Sequence, residues 1–182
     1  NNLQPNQSTN QTHFTILMPG VELDYGDAPS EYGTTVADGG ARPVITVNSL
    51  PLGTGVTSES DGTPSVGADS DTADGVDVSL TILNAHYRAP VTVTASGRGF
   101  LNAWIDFNHD GDWSDAGEHV LANVAVAPGT NELTVPTPTG ALLGDTYARF
   151  RLSSESGVTA DGIALDGEVE DYVVTVVPGT PP

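Results

Sequence analysis

The chain has 182 residues, of which 24 are acidic and 5 basic, giving a formal net charge of -19, and it contains no cysteine. That charge excludes nucleic acid and anionic membrane surfaces as partners, because phosphate-bearing surfaces select Lys and Arg. It also makes the compact state self-repelling unless cations offset it, and without disulfides bound metal is the staple left to an exported domain.

Residues 1–12 are Asn, Gln, Ser and Thr around Pro5, a composition that reads as a flexible tail. The tail holds two N-glycosylation acceptor patterns, at Asn6 and Asn10. A first strand is expected from His13 to Met18, with Phe14, Ile16 and Met18 on one face and Pro19-Gly20 closing it. Residues 1–20 are therefore read as an extension, 21–177 as one domain, and 178–182 as a stub.

Within the domain, short Val- and Thr-rich runs alternate with Gly, Pro and Asp turns. Strands are expected at Val44–Val47, Val76–Ile82, Val91–Ala95, Phe100–Phe107, Val120–Val126, Leu133–Val135, Tyr147–Leu152 and Val169–Val177. No window carries a helical period. The pattern predicts an all-β, antiparallel β-sandwich of jelly-roll or immunoglobulin-like type. The Gly/Ser/Asp-rich stretch between Val47 and Val76 is long enough to call for a function or a ligand that orders it.

Three acidic constellations stand out. In the first, oxygen-bearing side chains alternate at Asp106, Asn108 and Asp110, and Gly111 follows where a calcium loop turns sharply. Asp112 falls where such loops usually offer a backbone carbonyl, and Asp115 and Glu118 are available to close the shell. The closing Glu comes one residue late and a strand precedes the loop. The expectation is an EF-hand-like loop set between β-elements. The second constellation is Asp69, Asp71, Asp74 and Asp77 around an Asp-Gly turn, with Glu59 and Asp61 upstream. The third pairs Glu168 and Glu170, which share one side of a strand. A cation shared with Asp24 and Asp27 would compensate them, and Arg149 and Arg151 on the preceding strand are the competing explanation.

Asp24-Tyr25-Gly26-Asp27-Ala28-Pro29, Ala103-Trp104-Ile105-Asp106-Phe107-Asn108 and Gly167-Glu168-Val169-Glu170-Asp171-Tyr172 together resemble the GEVED domain of secreted bacterial proteins. The resemblance spans residues 24 to about 177. It implies a β-rich module of large surface or secreted proteins and implies no activity.

These features lead to an expectation of a calcium-stabilised structural subunit of an extracellular filament or surface assembly, binding more than one Ca2+ and not acting as an enzyme. Its partners would be other copies of itself, joined head-to-tail by donation of a strand formed by residues 12–18, with no insertion into a membrane. The same strand folding back on its own sandwich is the competing arrangement. A calcium-dependent carbohydrate-binding or adhesin module is the alternative function. Trp104, Trp113, Tyr32 and Tyr87 are then candidates to stack on glycans, unless Trp104 is core and Trp113 covers the metal loop.

Overall fold

Side chains that alternate between water and an apolar interior force extended backbone, and this sequence does so repeatedly. In the computed structural model, residues 20–70, 75–76, 82–84 and 88–179 are described. The expected strand at His13–Met18, the tail sites Asn6 and Asn10, and most of the Val76–Ile82 run lie outside them.

The described strands are β1 (Glu22–Leu23), β2 (Arg42–Ile45), β3 (Ile82–Asn84), β4 (Arg88–Ala95), β5 (Gly99–Ile105), β6 (His119–Val126), β7 (Gly129–Pro136), β8 (Gly144–Ser153), β9 (Ile163–Ala164) and β10 (Glu168–Val177). Helical structure among the described residues is one 3₁₀ turn, Ser30–Tyr32. The chain is all-β. A five-stranded sheet in the order β3-β10-β8-β5-β6 faces a two-stranded ribbon, β4-β7. Most pairings are antiparallel; β10 runs parallel to β3, and β2 parallel to β9 in a small sheet ordered β1-β2-β9.

The main core lies between the five-stranded sheet and the ribbon. Leu101, Ala103 and Ile105 of β5, Phe150 and Leu152 of β8, and Val174 and Val176 of β10 meet Val91, Val93 and Val135 of the ribbon. Leu52, from the long Gly/Ser-rich stretch, is fully buried in the same core and bridges to Ala95. That stretch is tied down further by Glu59 N–H to Leu23 O at 2.9 Å and Ser65 N–H to Asp27 O at 2.8 Å.

The outer face of the sheet is covered as well, which departs from a half-solvated sandwich. The 3₁₀ turn, the loop after β5 and the connection from β8 to β9 lie over it, around Tyr32, Trp104 and Trp113. For this reason β8 is buried on both faces from Ala148 to Ser153 and β10 from Glu168 to Tyr172.

Candidate metal and carboxylate sites

β5 ends where Asp106 turns the chain. The Asp106 carboxylate is fully buried. Its Oδ1 accepts the His109 N–H at 2.6 Å, and its Oδ2 accepts the Gly111 N–H at 3.1 Å and the Tyr32 hydroxyl at 2.7 Å. Left-handed backbone at His109 (φ 58°) and Gly111 (φ 87°) makes the turn tight enough for both amides to reach it.

The loop's exposed acids converge. Carboxylate oxygens of Asp110, Asp112 and Asp115 lie within 4.8 Å of one another, a group that can hold a metal ion. Asn108 Nδ2 donates to Asp110 at 3.0 Å and to Asp115 at 2.6 Å, which keeps the set together. The Ser114 N–H and hydroxyl each donate to Asp112 Oδ1 at 2.7 Å and hold its carboxyl below its usual range. Asp112 thus contributes its side chain to the acidic set, whereas loop spacing alone expected its backbone carbonyl.

Glu118 does not join that set. It is buried, accepts the Phe107 N–H at 3.1 Å and the Asp115 N–H at 3.2 Å, and so ties the two ends of the loop together. Burial pushes its carboxyl up to about 7, against the lowering effect of those two amides. Asp106 and Glu118 brace the loop, and Asp110, Asp112 and Asp115 form its open acidic mouth.

The third constellation is buried, and two described residues that border the second, Ser70 and Val76, reach it. Asp24, Asp27, Glu168 and Glu170 are all buried. Asp24 Oδ2 accepts the Val169 N–H at 2.8 Å, placing the Asp24–Pro29 segment directly against the start of β10. Glu168 accepts the Leu52 N–H, and Glu170 accepts the Tyr172 hydroxyl at 3.1 Å. That hydroxyl in turn accepts the Val76 N–H at 3.3 Å. Asp27 accepts the Ser70 N–H. Ser70 and Val76 flank Asp71 and Asp74, which lie outside the described residues, as does Asp77. Asp69 is exposed and accepts the Ser65 hydroxyl at 2.9 Å. Beside Asp27, the side chains of Tyr25 and Glu59 help line a void of about 30 Å³, and the Tyr25 hydroxyl is buried with no hydrogen-bond partner among the described residues.

Strand register settles what the two arginines do. Asp171 pairs with Arg149 and Val169 with Arg151, whereas Glu168 and Glu170 pair with Leu152 and Phe150. Directly paired residues share a face, so Glu168 and Glu170 point to the apolar side and the arginines to the other. The described ion pairs are accordingly Arg149 to Asp171 and Arg149 to Asp161. Arg149 is fully buried and bidentate, with Nε to Oδ1 and Nη2 to Oδ2 of Asp171 both at 2.8 Å. The Ala28 N–H adds a third bond to Asp171 at 2.9 Å. The opposing charge of Asp171 outweighs burial and raises the Arg149 pKa. Arg151 is capped by the carbonyls of Thr159, Asp161 and Gly162. Burial and the like charge of Arg149 lower it to about 10, so it stays cationic at neutral pH.

Sequence reasoning met Asp171 and Tyr25 only inside motifs and gave them no role, and it took Tyr32 as a glycan-stacking candidate rather than as the partner of Asp106. Asp171 had a signal, since alternation puts it on the side of the strand away from Glu168 and Glu170, with two arginines on the preceding strand. The bracing role of Tyr32 had none, being remote in sequence from the loop it braces. Trp113 is buried against Tyr32, with ring centroids 4.6 Å apart, and Trp104 packs in the same outer cluster rather than in the main core. Tyr87 lies outside the described residues.

Residues 100–175, from β5 into β10, match the family model of the GEVED domain. Comparison with curated proteins and with solved structures gives no match. No helix among the described residues is long and apolar enough to cross a membrane.

Proposed function

From the GEVED domain carried by residues 100–175, we propose that the chain is a calcium-stabilised structural subunit of an extracellular filament or surface assembly. Its N-terminal strand is donated to a neighbouring copy, and its role is binding rather than catalysis.

The observation that carries this reading is the convergence of Asp110, Asp112 and Asp115 within 4.8 Å, in a chain with a net charge of -19 and no lysine. Three carboxylates so close repel one another unless a cation joins them. A hard, all-oxygen donor set with a side-chain amide beside it suits Ca2+ over softer metals. The buried Asp24, Glu168 and Glu170 offer further oxygens for a second ion: Asp24 meets the Val169 N–H at the start of β10, and Glu168 and Glu170 share the apolar side of that strand. An all-oxygen set of this kind suits Ca2+.

The assembly part of the proposal rests on the sequence of the extension. Phe14, Ile16 and Met18 form an apolar row, and Pro19-Gly20 lets the segment leave as a unit. Burying the row contributes on the order of 5 kcal/mol before ordering costs. Among the described strands β6 lies at one edge of the five-stranded sheet, where an added strand would find backbone partners.

Thermal unfolding in Ca2+ and in excess chelator, for the wild type and Asp110→Ala, tests the calcium part. Chelation should lower the melting temperature by several degrees, and the variant should recover little of that on adding Ca2+. Identical curves contradict it. Deleting residues 1–19 and examining the material by electron microscopy tests the assembly part. Filaments that persist without them rule out strand donation.

A further inference from the structure

The outer face of β5 and β6 carries a cleft that none of the acidic sites explains. It has a volume of about 590 Å³, within the range of small-molecule sites. One wall is the exposed His119 ring stacked on Trp104, with centroids 4.5 Å apart and planes 13° from parallel. The ring's inner edge is partly buried, with Nε2 3.1 Å from Asn102 Oδ1, and this partial burial lowers the His119 pKa and favours the neutral ring.

Two features show that the cleft is built. β5 and β6 slip register between Leu101 and Trp104, and Asn123 in the opposing strand has left-handed backbone, φ 51°. Bulges and strained residues of this kind re-aim side chains and concentrate at binding sites. The slip is held by the fully buried Asn102, whose Oδ1 accepts the Asn123 N–H at 2.9 Å. The second feature is Trp113, also in the lining. It is only 6% exposed, and its indole Nε1–H is buried with no hydrogen-bond partner among the described residues. A buried donor left without an acceptor costs roughly 1–3 kcal/mol, which a ligand oxygen recovers once a small shift of the lining residues lets it reach the indole.

The lining also sorts ligand classes. Glu31, Asp112 and Asp161 offer carboxylates and no Lys or Arg lines the cleft, so anions are repelled. An apolar ligand would desolvate those carboxylates without compensation. A simple cation would satisfy them but leave the Trp113 N–H unmet. Hydroxyl groups donate to the carboxylates and accept from Trp113 Nε1 and from Asn123 Nδ2, which makes no hydrogen bond among the described residues. A pyranose ring supplies such hydroxyls together with a C–H face for the His119 wall. We propose that this cleft binds a neutral sugar, presented as the terminal residue of a glycan. The proposal does not require the calcium reading, although the two share the loop segment from Gly111 to Ser114.

The test is a nuclear magnetic resonance titration of the full chain in Ca2+. The chain has two tryptophans, so its two indole N–H signals are assignable with Trp104→Phe. Methyl glycosides of glucose, galactose, mannose and N-acetylglucosamine are added to about 50 mM, a range that reveals millimolar binding. Methylguanidinium and inorganic phosphate are run in parallel. At least one glycoside should shift the Trp113 indole signal saturably. Asn123→Gly, which keeps the positive φ accessible, and Glu31→Ala on the exposed rim should each weaken that binding about tenfold. A flat response to every glycoside overturns the proposal. So does saturation by methylguanidinium alone, which would make the cleft a receptor for basic side chains, or glycoside binding that both variants leave unchanged.

Discussion

Asp171→Asn isolates the contact that holds the outer layer onto the sheet. Asn has nearly the shape of Asp, so no cavity opens. It removes the charge facing a fully buried guanidinium, and whichever way the amide is turned, its NH2 meets an Arg149 N–H, joined by the Ala28 N–H in one of the two orientations. Removing one partner of a buried pair leaves an uncompensated charge, at a cost of about 3–5 kcal/mol. Asp161 compensates poorly, because its contact to Arg149 is a single 3.1 Å bond and its side chain is 53% exposed. For a domain of this size each kcal/mol lowers the melting temperature by about 2–4 °C, so a fall of roughly 10 °C is expected. Urea unfolding in saturating Ca2+ gives the free energy directly. Arg149→Met in the Asp171→Asn background should recover much of the loss, since it removes the stranded charge. A loss below about 1 kcal/mol for Asp171→Asn, or no recovery in the double variant, would refute the argument.

Three further outcomes follow from the same geometry. Gly167→Ala should prevent native folding, because Gly167 has φ 104° and an added Cβ would overlap the Leu152 carbonyl; circular dichroism and solubility report this. Tyr32→Phe should lower stability by about 1–3 kcal/mol in urea unfolding, through loss of the 2.7 Å bond from a buried hydroxyl to buried Asp106. In chelator, the Glu118 pKa near 7, raised from 4.5, means the native state holds this proton more tightly than the unfolded state. Its contribution is therefore fully present below about pH 4.5 and is lost as pH rises through 7, a change of up to roughly 3 kcal/mol. Stability of the wild type relative to Glu118→Gln should fall across that window, and a constant difference would contradict the assignment.

The strands that frame the core were legible because alternation is local. Val91, Val93 and Ala95 announce β4, and β5, β6, β8 and β10 begin or end within a few residues of where the pattern puts them. β1 and β9 have two residues each and are too short to show a period. Leu52 enters the core from a Gly/Pro-rich stretch, where one apolar residue carries no pattern. In the acidic loop, spacing identified the oxygen donors but could not separate buried braces from the open mouth. Burial of Asp106 and Glu118 is decided by Tyr32 and by amides that only the folded turn supplies. At β10, alternation places Glu168 and Glu170 on one side, as the structure has them, but which face Arg149 and Arg151 take depends on cross-strand register, which a single strand does not contain. The meeting of Ser70 and Val76 with Asp27 and Tyr172 joins residues up to 96 positions apart, and no local pattern encodes it.

Calorimetric titration of chelator-stripped protein with Ca2+ tests the central claim most directly. The account predicts saturable binding with a stoichiometry above one, and Asp110→Ala should lose the site at the Asp110–Asp112–Asp115 mouth while keeping the rest. Heats no greater than dilution, in protein shown to be folded, would contradict it.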